Sequence, residues 1–431
     1  MTNSLQPWAV DHIAAADFSR VIPAVLLLAM FCMPLRAADE WPQFRGPDGQ
    51  GHTDATGLPL TWSENENVAW KTPLPGRGWS SPVVSDHKIW LTTAIDDQRS
   101  LRAVAVDVET GKVIHDVEVF QCDSLPSIND KNTYASPTPI VESGRLYVHF
   151  GTLGTACLDA ADGRVLWTNR ELKVDHREGP GSSPLLWRDL LIVNCDGVDA
   201  QYVAAVDKQT GKLVWRRDRP GPLNPVPDFR KAYCTPLVIE FNGRPELVSP
   251  GASRVVAYDP QTGDELWSVR YAGFSNVPRP IFAGGLVLVD TGYMKPQLWA
   301  LRPGGSGDVT ESGVAWRCTR HAPANPSPVA VGDEVYMVSD AGIASCLDAA
   351  SGKVVWQERL GGNFSASPLA GDGRIYFASE EGVTTVVRAS RDFERLAANT
   401  LPGRMLASPA VAGRDLILRT DSHLYRVGAA E

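Results

Sequence analysis

The stretch DAASGKVVWQERLGGNFSASPLAGDGRIYFASEEG, residues 348–382, contains one complete period of a pattern that recurs along the chain. Asp348 is followed by Ser351, Gly352 and Lys353, a tight turn in which glycine supplies the positive φ, and then by the run ending in Trp356. A Gly-rich loop leads to Ser367-Pro368-Leu369, a second turn at Gly371-Asp372-Gly373, and the strand-forming run Ile375-Tyr376-Phe377. The unit is a turn and three short strands with the loops between them. Its repetition predicts a propeller.

Working outward, the Ser/Thr-Pro that opens each inner strand indexes the repeats: Ser81-Pro82, Ser136-Pro137, Ser183-Pro184, Thr235-Pro236, Ser327-Pro328, Ser367-Pro368 and Ser408-Pro409. The interval between Thr235 and Ser327 is double length, and Arg279-Pro280 fills it as a degenerate member, making eight units. The turns agree, since Asp159 to Trp167, Asp207 to Trp215, Asp259 to Trp267 and Asp348 to Trp356 share Asp-x-x-(Thr/Ser/Asp)-Gly-x-x-x-Trp. Each period provides the four strands of a blade. The last unit runs out after Leu424-Tyr425-Arg426-Val427, one strand short, while Asn67 to Lys71 is a strand that nothing before it completes. The expected fold is therefore an all-β, eight-bladed propeller of four-stranded blades, its ring closed by an N-terminal strand that completes the last blade and removes its open edges.

The expected domains are a signal peptide over 1–38, an extended N-terminal arm over 39–61 and a single propeller over 62–431. The apolar run 21–33 follows Arg20 and precedes the small residues Ala37 and Ala38. It has the length of a signal-peptide core and falls short of the roughly 20 apolar residues of a membrane-spanning helix. The mature chain is thus expected to be exported, periplasmic or attached to the cell envelope, with no transmembrane span. Cys32 is a lipid-attachment site only in principle, because the bulky Met30 and Phe31 fit a lipoprotein signal poorly. A net charge of −9, with no block of Lys or Arg along the chain, excludes a nucleic-acid partner.

Six cysteines follow the leader, an even number that invites disulfides. Cys157 and Cys346, however, occupy equivalent places in repeats four apart. Across an eight-unit ring that is about 20 Å or more, against the roughly 7 Å between Cα atoms that a disulfide tolerates. They read as small buried apolar residues.

The Asp-x-x-Thr-Gly-Lys-x-x-Trp turns and the Ser-Pro strands resemble the repeats of the pyrroloquinoline-quinone (PQQ) enzyme-like β-propellers, over about 62–427. The start Trp41-Pro42-Gln43-Phe44-Arg45-Gly46-Pro47 is similar to that of exported repeat proteins of planctomycete-type bacteria. One branch of the family, the quinoprotein alcohol dehydrogenases, binds PQQ with Ca²⁺ in the central channel; another, the lipoprotein of the outer-membrane β-barrel assembly machinery, is a catalytically inert scaffold. The enzyme branch implies an adjacent Cys-Cys pair, and this chain has no two adjacent cysteines. Asp196 and Asp199 are the best carboxylate pair for Ca²⁺, but two ligands fall far short of about six.

Long polar connections at 120–134, 171–181 and 219–233 mark one sector of the channel mouth as the expected binding surface. Its candidate ligand-binding residues are Arg230, Tyr233, Asn276, Arg279, His176, Trp79 and Asn363, a set suited to an anionic or sugar-like ligand through bidentate arginine contacts and ring stacking. Arg279 is the sharpest case, standing where other blades carry Ser or Thr. No metal site is expected, and His176 and His423 have no nucleophile or carboxylate placed to form a triad. The sequence thus points to a binding or protein-interaction scaffold without catalysis or cofactor. A PQQ- and Ca²⁺-dependent dehydrogenase, or a sugar-binding or sugar-processing protein, is the alternative.

Overall fold

The computed structural model describes residues 40–428. The expected signal peptide and Cys32 lie outside the described residues. Eight antiparallel sheets make the blades, spanning 83–121, 140–169, 185–218, 237–270, 281–318, 329–359, 369–400 and 410–427. The strand Val68–Pro73 completes the last blade, pairing antiparallel with His423–Val427 in a register that sets Val68 against Val427 and Pro73 against His423. The fold and its closure are as the repeats predict.

The repeat motif is a joint between neighbouring blades. Asp348 Oδ1 accepts from the backbone N of Ser351 at 3.0 Å and from its hydroxyl at 2.6 Å, which fixes the turn. Gly352 then takes φ +67°, and a Cβ there would lie 2.4 Å from the indole of Trp316 in the preceding blade. That indole donates its N–H to the carbonyl of Ala349 at 3.0 Å. Trp70, Trp167 and Trp356 likewise donate to the turn of the next blade, at 2.8, 3.0 and 3.1 Å. Trp70, Trp167 and Trp316 therefore lie on the turn glycine of the next blade, at Gly111, Gly211 and Gly352, and satisfy their N–H groups with a carbonyl of that turn.

Two features depart from the sequence reading. The second blade opens at Thr138-Pro139 rather than Ser136-Pro137; the tandem Ser-Pro-Thr-Pro offered two registers, and the hydrogen bonds described below select the second. After the third strand of blade five, Leu298–Leu301, the chain adds the short strand Gly307–Asp308 to blade four, parallel to Glu265–Arg270, before returning as Val314–Cys318. The six described cysteines are all buried and free.

The N-terminal arm crosses the face on which the turns lie. Trp41 pairs with Val84 of blade one, and the Pro42 carbonyl accepts from Val141 of blade two. Across the ring Ala370 of blade seven exchanges backbone bonds with Gly51 and Thr53. Trp62 then donates its backbone N–H to Asn399 Oδ1 at 2.9 Å, delivering the chain to the closing strand.

Candidate functional site

The Ser/Thr before each inner-strand proline forms a belt around the channel. The backbone N–H of Ser81 donates to Thr138 Oγ1, that of Thr138 to Ser183 Oγ and that of Ser183 to Thr235 Oγ1, each at 2.9 Å. The series resumes from Arg279 to Ser327, Ser327 to Ser367, Ser367 to Ser408 and Ser408 back to Ser81, at 2.9–3.0 Å. The single break falls at Arg279, which has no hydroxyl to offer Thr235. A proline follows each belt residue because the peptide nitrogen there needs no hydrogen bond.

These hydroxyls line a chamber of about 470 Å³ on the channel axis. Each hydroxyl oxygen accepts from a backbone amide, which leaves its proton to be donated inward. Phe44 of the arm lines the same chamber, so the arm fills the channel from the turn face and the opening lies among the inter-blade connections. Two ion pairs stand at that opening. Lys231 meets Glu178 at 2.6 Å, and this bond holds the Glu178 carboxyl below its ordinary range. Lys131, on the connection after blade one, meets Glu380 of blade seven at 2.6 Å. Burial works to raise the Glu380 pKa, but hydrogen bonds from Lys131 and Ser365 outweigh it and hold the carboxyl below its usual value.

Of the sequence-predicted residues, the chamber brings together Trp79 and Tyr233. The Trp79 indole donates to the carbonyl of Lys131 at 2.9 Å, and the Tyr233 hydroxyl donates to that of His176 at 2.8 Å. The other five are placed elsewhere. Arg230 pins its own connection, donating to the carbonyls of Asn224 at 2.6 Å and Val198 at 3.0 Å. Asn276 is buried, donating to the Tyr271 hydroxyl at 3.0 Å and the Asp290 carbonyl at 2.8 Å. Asn363 is exposed and bonded to Glu381 at 2.9 Å. His176 lies beside a second hollow of about 290 Å³, with burial lowering its pKa to about 4. Arg279 reaches toward the arm and donates to the Phe44 carbonyl at 2.7 Å.

Asp196 and Asp199 do not converge either. Asp196 is engaged by Arg219 through two bonds of 2.6 Å, and Asp199 accepts from the backbone of Asp175 at 2.8 Å. The sequence reading missed Lys131, Glu178 and Lys231 as lining residues, and it used the belt residues only as an index of the inner strands. The signal for the belt was the Ser/Thr-Pro index itself.

Fold and channel define an eight-bladed propeller of PQQ-type repeats, with a blind central chamber. The chain belongs to the family described as outer membrane protein assembly factor BamB, whose model matches residues 56–170, 130–243 and 199–430. It is 25% identical over 256 residues to the outer membrane protein assembly factor BamB of Moranella endobia, covering 58% of this chain and 61% of that protein. It is 29% identical over 144 residues to the quinohemoprotein alcohol dehydrogenase ADH-IIG of Pseudomonas putida, covering 30% of this chain and 18% of that enzyme. The chain thus matches less than two thirds of the length of these relatives.

Two solved structures share the fold. BamB from Moraxella catarrhalis superposes with a TM-score of 0.56 at 15% identity, over 83% of this chain and 99% of that one. Quinohemoprotein alcohol dehydrogenase from Comamonas testosteroni superposes with a TM-score of 0.66 at 14% identity, over 91% of this chain and 81% of that one.

The PQQ–Ca²⁺ centre of the dehydrogenase branch does not fit the residues present. A Ca²⁺ ion takes about six to eight oxygen ligands, with carboxylates prominent among them. The carboxylate lining the chamber is Glu178, already paired with Lys231. Among the described residues no three His, Cys, Asp or Glu side chains are grouped to hold a metal.

Proposed function

We propose that this protein is an exported, non-catalytic scaffold of the cell envelope that docks a protein partner on the open face of its ring. The observation that carries this reading is an aromatic cluster at the chamber mouth. Phe229 packs on Phe274 with ring centroids 4.5 Å apart, and Phe274 on Tyr293 at 6.1 Å. These large apolar side chains stay in water, with Phe229 41%, Tyr293 57% and Met294 69% exposed, and Leu223 and Val226 of the same connection are exposed as well. Met294 also adopts φ +78°, a conformation that costs a side-chain-bearing residue energy. A contiguous apolar surface on connections carried by a rigid ring of blades is what protein docking uses. Membership of an outer-membrane assembly factor family supports the envelope location. No helix among the described residues is long and apolar enough to cross a membrane.

A photo-crosslinking residue at Tyr293 in producing cells is expected to capture a subunit of the outer-membrane β-barrel assembly machinery. The same group at Lys353, on the turn face, should not. Equal capture from both positions would remove the docking face. The dehydrogenase alternative is tested by adding PQQ and Ca²⁺ and following dye reduction with alcohols; quinone-dependent turnover would replace the scaffold reading. A sugar-like ligand has only Trp79 and Tyr233 in the chamber to recommend it and is not adopted.

A further inference from the structure

We propose that Arg45 and Arg279 together hold a small monovalent anion, chloride in ordinary saline, where the arm seals the ring. This site is separate from the docking face and does not depend on it. Arg279 occupies the belt position that carries a hydroxyl in the other blades, yet its side chain is only 2% exposed. It donates to the carbonyls of Phe44 at 2.7 Å and Pro236 at 3.2 Å. Arg45 is 1% exposed and donates through one terminal nitrogen to the carbonyls of Gln50 and Pro328, both at 2.6 Å. Its Nε and Nη1 are buried with no partner.

Neither guanidinium has a carboxylate within ion-pairing distance among the described residues. Asp48, the carboxylate whose charge acts on both, is half exposed and turns to His52 at 3.3 Å. Burial, reinforced by repulsion from Arg279, lowers the Arg45 pKa to about 9; burial lowers that of Arg279 to about 10. Carbonyl oxygens satisfy some of the N–H groups but carry no net charge, so two like charges remain uncompensated in a region of low dielectric. That is the most costly way to bury an ion.

The arm backbone closes over both groups. A Cβ on Gly49 would lie 2.3 Å from Arg279 Nη1, and one on Gly51 would lie 2.6 Å from Arg45 Nη2. With Arg45 1% and Arg279 2% exposed, a monatomic ion is favoured over a phosphate or a carboxylate. The anion would bond to the unpartnered N–H groups of Arg45 and neutralise the pair, fastening the arm to the ring.

The test uses the full chain. Crystals soaked in sodium bromide should show an anomalous peak within hydrogen-bonding distance of Arg45 Nε or Nη1. Thermal unfolding in sodium chloride, against sodium gluconate of equal ionic strength, should show a rise of about 2 °C once chloride exceeds its dissociation constant tenfold, growing with the logarithm of chloride concentration beyond that. Arg279→Met should abolish the peak and the chloride-specific rise. Should that variant fail to fold, the wild-type bromide map still decides. Ordered water alone at the position, or equal stability in chloride and gluconate, would overturn the proposal.

Discussion

Gly352 and Gly373 have nearly the same backbone, φ +67° and +69°, but different surroundings. A Cβ at Gly352 meets the Trp316 indole, whereas one at Gly373 meets nothing within 4 Å. Gly373→Ala should therefore cost about 1 kcal/mol, the left-handed strain alone. Gly352→Ala should cost about 2–3 kcal/mol, since the docked indole must also move. Urea unfolding midpoints of the two variants separate the terms. His149 and His176 both contribute to the acid response. Burial lowers their pKa values to about 3 and about 4, against about 6.5 in an unfolded chain. Below pH 6.5 the unfolded state takes up protons that the folded state refuses, so stability falls as the pH drops from about 6.5 to about 4. Each histidine contributes up to about 1.4 kcal/mol per pH unit. Both ring nitrogens of His176 lack partners, so His176→Gln loses no bond there and should flatten the decline in stability between pH 7 and pH 5.

The closing strand is the element on which the ring depends. Without Val68–Pro73, the strand His423–Val427 would present an unpaired edge, and the arm would lose its attachment beside blade eight. Deletion through Pro73 is expected to turn a soluble species into aggregate on size-exclusion chromatography. A monomer of unchanged thermal stability would show that the strand is dispensable. This pairing was legible because a four-strand count left the last blade one strand short and one strand over at the N-terminal end. The start of blade two was not, because Ser136-Pro137 and Thr138-Pro139 are locally equivalent and the belt bonds from Ser81 and to Ser183 distinguish them.

Across the whole molecule, repeat period and turn chemistry carried the architecture, since both are local and recur in every blade. The candidate site depends on where side chains from distant blades aim, which spacing does not encode. Trp79 and Tyr233 face the chamber, whereas Arg230 and Asn276, on comparable connections, are consumed by carbonyls and a tyrosine of their own surroundings. Arg279 stood out correctly as an exception to the Ser/Thr series. Its partner was the Phe44 carbonyl, more than 200 positions earlier in the chain.

Ring closure also imposes an order in time. Val68–Pro73 leaves the ribosome before any complete blade exists, yet its partner His423–Val427 is among the last segments made. Seven blades can fold in succession behind it while this early strand waits without a neighbour. The final step therefore joins the most widely separated segments of the sheet and is the slowest to find by chance. Until it occurs the nascent protein carries two sticky ends, and a factor that shields either one would act as its assembly chaperone.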